Sequence, residues 1–224
     1  MSRSEPSVNY HDPDPDTHFT REFWDERYRS ADRLWSGQPN AQLVAQTTDL
    51  PAGEALDAGC GEGADAIWLA SRGWTVTAVD VSQVALDRAA RHAAARDGQI
   101  QARIAWQRED LLSWAPGPEQ FDLVTAHFMH LPEADLRAMH LRLAAGVRPG
   151  GTLLIVGHHP DDVHANVRRE GPGHMFPSAT EVGAVLDADS WEIRVAAAFE
   201  RNAEDLDGRP ATIKDTVLRA VRRS

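Results

Sequence analysis

Short apolar runs alternate with longer amphipathic stretches along most of the chain beyond Pro51. This alternation of strand and helix patterns predicts repeated β-α units on a mostly parallel sheet. Thr152 to Val156 is apolar throughout, which is typical of a strand buried on both faces. The predicted parallel strands are 55–58, 74–79, 103–107, 121–126 and 152–156.

The last third of the chain has a different pattern. Ser178 and Glu181 have the spacing of a capping box, which predicts the start of a helix. Trp191–Phe199 and Ala211–Val221 alternate in part and are joined by a polar loop, so we expect an antiparallel hairpin. Together with the earlier runs, these strands predict a seven-stranded, Rossmann-like α/β fold with helices on both faces and an antiparallel last strand.

The segment before the regular pattern divides into two parts. Residues 1–18 are acidic and rich in proline, which predicts a disordered or loosely attached arm. Residues 19–50 interleave aromatic and charged positions around the break Ser36-Gly37-Gln38-Pro39, which predicts a helical cap. We therefore expect a single domain over 19–224, made of the helical cap at 19–50 and a core at 51–224.

Composition narrows the classes of partner and the compartment. The formal charge of the 224 residues is −11. A surface this negative disfavours nucleic acid and anionic membranes. Cys60 is the single cysteine, so a disulfide framework is excluded. No signal peptide or bilayer-spanning run is seen in the sequence, and we expect a cytoplasmic protein.

The most informative segment is the glycine-rich turn from Leu56 to Ala64, between a predicted strand and helix. Its Gly59-x-Gly61-x-x-Ala64 spacing also satisfies the relaxed dinucleotide fingerprint, so a nicotinamide-dependent oxidoreductase is one alternative. Asp57 would repel the phosphates of a dinucleotide and attract a cationic amino acid group instead. This charge favours S-adenosylmethionine, which carries an ammonium and a sulfonium and no phosphate.

Two further acidic residues follow predicted strands. Asp80 ends the second strand about 20 residues beyond the glycines, the spacing of a carboxylate that binds ribose hydroxyls. Asp110 follows the third strand, where it either accepts a hydrogen bond from an adenine amino group or caps a helix before Leu111.

These motifs, together with Phe121-Asp122-Leu123-Val124 and Arg148-Pro149-Gly150-Gly151, resemble the class I S-adenosylmethionine-dependent methyltransferases. The resemblance covers most of residues 53–156. It implies that the glycine turn holds the methionine part, the acid after strand two the ribose, and the acid after strand three the adenine. It implies these roles for Gly59, Gly61, Asp80 and Asp110. The full set of residues predicted to bind the cofactor also includes Asp57, Cys60, Val81, Leu111 and His127.

The cap sequence adds a narrower likeness. Phe23 to Tyr28, followed by Trp35-Ser36-Gly37-Gln38-Pro39-Asn40, is similar to small bacterial methyltransferases related to the tellurite- and thiopurine-modifying enzymes. That likeness implies a small-molecule acceptor and a segment that closes over the cofactor. Trp35 is then the candidate aromatic contact, with plain packing as the alternative.

Four histidines lie in the loops after the fourth and fifth strands, His127 and His130 in one, His158 and His159 in the other. If the fourth and fifth strands are neighbours in the sheet, these loops lie at the same opening of the crevice. One histidine is therefore a candidate general base for the methyl acceptor. Cofactor contact or simple packing is the alternative. Imidazole ligands for a metal are conceivable, but neither motif holds a fixed carboxylate, and no metal is predicted.

Two alternatives concern the rest of the chain. The segment 161–177, with Arg168, Arg169 and His174, is either a loop that meets an anionic acceptor or a solvated loop. A non-catalytic S-adenosylmethionine-binding protein on the same fold would share every cofactor motif. The product of the predicted reaction is S-adenosylhomocysteine.

Overall fold

A computed structural model describes residues 19–129, 131–164 and 175–224 of the chain. The predicted arm at 1–18, His130, and Arg168, Arg169 and His174 of the predicted loop lie outside these residues. No helix in the described part is long and apolar enough to cross a membrane.

The strands of the structure form one seven-stranded sheet in the order β3-β2-β1-β4-β5-β7-β6. Their bounds are β1 Glu54–Ala58, β2 Thr75–Asp80, β3 Ile104–Arg108, β4 Phe121–His127, β5 Val147–His158, β6 Trp191–Glu204 and β7 Pro210–Arg222. Strands β1 to β5 are parallel, while β7 runs antiparallel to both β5 and β6. The predicted fold, with its terminal antiparallel hairpin, is confirmed.

Helices cover both faces of the sheet. Their bounds are α1 Arg21–Arg29, α2 Ala41–Thr47, α3 Ala64–Ser71, α4 Gln83–Arg96, α5 Gly98–Gln101, α6 Glu133–Ala145 and α7 Ala179–Gly183, with a short 3-10 helix at Pro160–His164. The core consists of two groups of buried side chains, one around Leu56, Met139 and Leu153, the other around Leu69, Val76 and Leu154. A parallel sheet buried on both faces explains the uniformly apolar strands of the sequence.

Strand five and the hairpin differ in extent from the prediction. Val147 already pairs with Phe121, and the ladder continues at Thr152 opposite Leu123 after a register shift. The segment predicted as a turn before Thr152 is therefore an irregular part of β5, with Gly150 at φ +80°. In the hairpin, β6 extends to Glu204 opposite Pro210, beyond the predicted end at Phe199, because the pairing with β7 continues.

The order of the strands fixes where a ligand can bind. In the sheet, β2 and β3 lie on one side of β1, and β4, the next strand in the sequence, lies on the other side of β1. In an open α/β sheet, such a reversal leaves a crevice at the carboxyl ends of the two central strands. Ala58 and His127 end these strands in the structure.

Candidate active site

The glycine turn after β1 is fixed to the end of β2. The amides of Gly59 and Cys60 both donate to the carbonyl of Val79, at 2.9 Å each. The amide of Gly61 donates to Oδ2 of Asp80 at 2.8 Å. Gly59, Gly61 and Gly63 all have φ between +51° and +82°, a region that glycine enters without a steric cost. The turn therefore exists because the sequence places glycine at these three positions.

Asp80 organises this turn from the end of β2. Besides the bond from Gly61, its Oδ1 accepts a hydrogen bond from the amide of Ser82 at 2.9 Å. Burial raises the pKa of Asp80 to about 6, although the backbone amides of Ser82 and Gly61 oppose that shift. A carboxylate oxygen accepts more than one hydrogen bond, so each oxygen keeps capacity for a hydroxyl of a ligand.

Asp57 lies beneath the turn on β1 and is almost completely buried. Its Oδ1 accepts a hydrogen bond from the Thr125 hydroxyl at 3.3 Å, whereas Oδ2 has no hydrogen-bond partner among the described residues. Burial, followed by the charge of Asp65, raises the pKa of Asp57 to about 7, against the opposing effect of His127. An unpaired buried carboxyl of this kind favours a cationic ligand, because the ligand would supply the missing partner.

The cap closes over the turn from the other side. A Cβ on Gly61 would come within 3.0 Å of the Tyr28 hydroxyl and 3.3 Å of Trp35 Nε1, so this glycine gives the two aromatic residues room. Trp35 Nε1 donates to that hydroxyl at 3.0 Å. Trp35 itself is 39% exposed. It lies at the edge of the turn, where the sequence predicted an aromatic contact, and Tyr28 is a neighbour that sequence reasoning treated only as packing.

Glu62 holds the cap in this position. Its Oε2 accepts hydrogen bonds from the amides of Leu34 and Trp35, both at 3.1 Å. Its Oε1 pairs with Arg88 of α4 at 3.0 Å. The side chain is 4% exposed, so these bonds are formed out of water. Nothing in the sequence distinguishes this glutamate, because its partners lie 26 to 28 residues away.

We expect Glu62→Gln to loosen the cap. An amide replaces one acceptor oxygen by a donor, so either the two cap amides or Arg88 lose their partner, at a cost of about 1–3 kcal/mol in the free energy of unfolding. Hydrogen exchange at Leu34 and Trp35 should become at least about tenfold faster, since 1.4 kcal/mol is a factor of ten. Glu204→Gln, in an exposed position on the hairpin, is the matched control. Unchanged exchange at both amides would show that Glu62 does not hold the cap.

An open cleft of about 520 Å³ runs beside the end of β3. Val81, Asp110 and Leu112 form its core side, while Phe19 and Arg21 form its cap side. Oδ1 of Asp110 accepts a hydrogen bond from the amide of Leu112 at 2.9 Å, so the carboxylate has the local capping bond that was the alternative to an adenine contact. Leu111 is buried beneath this loop.

His127, at the end of β4, joins Asp57 in the crevice. Its Nδ1 lies 2.7 Å from Oδ2 of Asp65, a residue in the first turn of α3. The imidazole is 6% exposed, and its Nε2 has no hydrogen-bond partner in the part of the chain that the structure describes. The carboxylate of Asp65 raises the pKa of His127, although burial opposes this shift most strongly. Sequence reasoning missed Asp65, because an acid in the first turn of a helix is already explained by the helix dipole.

Asp57, Asp65 and His127 offer three metal-ligand atoms within 4.8 Å of one another. Two of the three residues, however, are already joined by the short bond between Asp65 and His127. That bond uses the ring nitrogen and the carboxylate oxygen for each other. We interpret the cluster as a hydrogen-bonded acid–histidine pair beside a buried carboxyl, and we assign no metal to it.

His158 and His159, at the end of β5, have different surroundings from His127. The ring of His158 lies between Phe128 and Phe176, with centroid distances of 4.8 and 5.2 Å. His159 Nδ1 accepts a hydrogen bond from the amide of Asp161 at 3.2 Å. His158 is the last residue of β5 and His159 is the next residue, so both lie beside the end of β4, as predicted, but among the described histidines only His127 contacts the acidic cluster.

A second, small cavity of about 20 Å³ lies between the ends of β4 and β5 and helix α6. Its walls are mainly apolar and include Met129, Met175 and Phe176, together with His158. They also include His140, a histidine that sequence reasoning did not select. Burial lowers the pKa of His140 to about 4, so its ring is neutral at physiological pH.

Comparison with known proteins agrees with this geometry. Residues 55–151 match the family described as "Methyltransferase domain". The chain is 34% identical over 161 residues to trans-aconitate 2-methyltransferase of Rhizobium meliloti, covering 70% of this chain and 52% of the relative. It is 28% identical over 136 residues to probable thiol methyltransferase 2 of Arabidopsis thaliana, covering 58% and 59%. The chain thus spans between half and three fifths of the length of these relatives.

A similar fold occurs in a protein solved in a study of the conversion of a disulfide bond into a thioacetal group during echinomycin biosynthesis. The two chains superpose with a TM-score of 0.72 over 91% of each, at 23% identity, which establishes the shared fold. The fold, the family match and the glycine turn agree with the resemblance seen in the sequence. Residues 55–151 therefore match a methyltransferase domain family, on a fold that the chain shares with this solved structure.

Proposed function

We propose that this chain is an S-adenosylmethionine-dependent methyltransferase that acts on a small-molecule acceptor. One observation carries the proposal: the amides of Gly59, Cys60 and Gly61 donate within the protein, while the carboxyl of Asp57 beneath them has an unpaired oxygen. A pyrophosphate needs free amides and positive charge. A cationic amino acid group needs the unpaired carboxylate, so the turn suits S-adenosylmethionine better than a dinucleotide.

The residues at the crevice fit the parts of this cofactor. We assign the ammonium to Asp57 and the methionine chain to the turn of Gly59, Cys60 and Gly61. The other proposed contacts are the ribose with Asp80, the adenine with Val81, Asp110 and Leu111, and the cofactor edge with Trp35 and His127. When bound, the cofactor supplies a methyl group already activated on a sulfonium.

The protein's own contribution is then alignment, exclusion of water and removal of a proton. The cap, held by Glu62, covers the turn from the solvent side. His127 is the first candidate for the base because its Nε2 is unpaired in the crevice. His158 and His159 are second candidates, and His130 is retained from the sequence.

The acceptor is proposed as a small molecule with an oxygen, nitrogen or sulfur nucleophile. The two curated relatives are named for a thiol and for trans-aconitate, so their names support small acceptors of differing chemistry. Met129, Met175 and Phe176 around the small cavity support an acceptor with an apolar part. The charge of −11 supports the exclusion of nucleic acid as acceptor, and the single cysteine supports a reducing, cytoplasmic setting.

Calorimetric titration with S-adenosylhomocysteine, NAD⁺ and NADH tests the cofactor. We expect binding of S-adenosylhomocysteine and no heat from either nicotinamide, because the amides of Gly59, Cys60 and Gly61 already donate within the protein and the carboxyl of Asp57 would repel phosphates. Transfer of a labelled methyl group to a panel of thiols, phenols and carboxylic acids then tests the activity. Binding of NADH in place of S-adenosylhomocysteine would overturn the assignment, and cofactor binding without transfer to any member would favour a non-catalytic role.

A further inference from the structure

Asp65 joins two parts of the molecule that are far apart in sequence. Its Oδ2 lies 2.7 Å from Nδ1 of His127, which is 62 residues away at the end of β4. Its Oδ1 accepts a hydrogen bond from the amide of Asn40 at 2.6 Å, and the Asn40 side chain caps helix α2. Both oxygens of the carboxylate are thus occupied, one by the cap and one by the imidazole, which fixes its orientation.

A fixed carboxylate also fixes the ring that bonds to it. Oδ1 of Asp65 accepts the bond from Asn40, and carboxylate oxygens only accept, so we assign the proton of the 2.7 Å contact with Oδ2 to Nδ1 of His127. In the neutral ring, Nε2 is then the basic nitrogen. Nε2 is buried and has no partner in the described part of the chain. Oδ2 of Asp57, nearby in the same cluster, is also unpaired.

The charged groups that act on His127 come from three different elements. Asp65 faces it from α3, Asp57 from β1 and Asp215 from β7. Asp215 is itself paired with Arg201 of β6, at 2.8 Å from Nε. Asp65 alone touches the ring among these acids, and so it alone can select which nitrogen holds the proton.

We propose that Asp65 is a positioning residue that keeps the proton on Nδ1 of His127 and presents Nε2 as the base for the methyl acceptor. This inference rests on the proposed function. In the reaction, Nε2 takes the proton from an O–H, N–H or S–H group while the acceptor atom bonds to the methyl carbon. The bond from that carbon to the sulfonium breaks, and the electron pair stays on the sulfur of S-adenosylhomocysteine. Asp65 then faces an imidazolium, whose charge it stabilises.

The bond to Asn40 makes this arrangement depend on the cap. When α2 is docked, the Asn40 amide holds Oδ1 and the second oxygen is directed at the ring. The same carboxylate that orients the base is therefore also bonded to the cap. An acid–histidine pair elsewhere on the surface would have no such link.

Asp65→Asn separates this role from simple packing. An amide of the same size keeps one acceptor oxygen for the Asn40 amide and turns its NH₂ toward His127. That donor requires a lone pair on Nδ1, so we expect the neutral ring to move its proton to Nε2. Imidazole ¹⁵N correlation spectra of the full chain, with His127→Gln to assign the signal, report this directly. We expect a Nδ1–H ring in the wild type and a Nε2–H ring in Asp65→Asn, with the His127 titration moved to lower pH by at least about one unit.

Asp87→Asn, an exposed acid on α4, is the control and should leave the His127 spectrum unchanged. A wild-type ring protonated on Nε2, or the same tautomer in both proteins, would overturn the proposal. The spectra require no methyl transfer, so this result is independent of the cofactor titrations. If S-adenosylhomocysteine failed to bind while the tautomer changed as expected, the proposed function would fail and the role of Asp65 in orienting His127 would stand.

Discussion

Asp80→Ala is expected to weaken the binding of S-adenosylhomocysteine by about tenfold to a hundredfold. Hydrogen bonds to a charged group contribute about 1.5–3 kcal/mol, and 1.4 kcal/mol corresponds to a factor of ten. The structure gives a second reason for weaker binding, besides the loss of the ribose contacts. Alanine also releases the amides of Gly61 and Ser82, so the turn loses the side chain that fixes it.

Calorimetry on the variant and on Asp207→Ala separates the site from a general effect of charge. Asp207 lies exposed at the tip of the β6–β7 hairpin, away from the crevice, and its removal should leave affinity unchanged. Far-ultraviolet circular dichroism of both variants checks that the sheet is intact. Full affinity in a folded Asp80→Ala protein would show that this carboxylate does not bind the ribose.

We expect Asp57→Asn to raise the free energy of unfolding of the cofactor-free protein at pH 8. We expect the same change to weaken cofactor binding. The pKa of Asp57 is raised by burial to about 7, above its value in the unfolded chain. Between those two values the folded state holds a proton that the unfolded state has released, so the free energy of unfolding falls as pH rises. The three-unit difference sets a ceiling of about 4 kcal/mol. An uncharged amide avoids this cost, and we expect a gain of about 1–3 kcal/mol at pH 8 and a gain about a third as large at pH 5.

Urea unfolding at the two pH values measures the stability, and titration with S-adenosylhomocysteine measures the opposite effect on binding. In the wild type, affinity should increase as pH rises through about 7, because Asp57 becomes charged and attracts the ammonium. The variant should lose at least about tenfold at pH 8 and show a flatter profile, with the remaining dependence near pH 6 due to Asp80. Lower stability at pH 8 than the wild type would contradict this account.

The opposite signs of these two effects indicate how the site is built. A carboxyl that destabilises the empty protein is retained beneath the turn because a cationic ligand supplies the charge it lacks. Asp80 differs, since two backbone amides already compensate part of its burial. We therefore expect Asp57 to have the larger influence on the stability of the empty protein and Asp80 on the shape of the turn.

The elements of the fold could be predicted from the sequence, and so could the residues placed around the glycine turn. Strand and helix periods are local, the three glycines are required by local backbone geometry, and Asp57 and Asp80 adjoin strands at fixed offsets from them. Each of these features can be recognised within a short stretch of the sequence. The predicted start of β5 at Thr152 was wrong. The strand continues through Gly150 with a register shift, and this depends on pairing with the partner strand.

The contacts made across the glycine turn became visible only in the folded structure. Glu62 with the cap amides and Asp65 with Asn40 and His127 join residues between 25 and 62 positions apart, and no periodicity encodes such pairs. The sequence offered four equivalent histidines, and the fold placed His127 against an acid and His158 between aromatic rings. Local pattern fixes which chemistry is present, but the proton on a histidine depends on the partner that the folded chain brings to it.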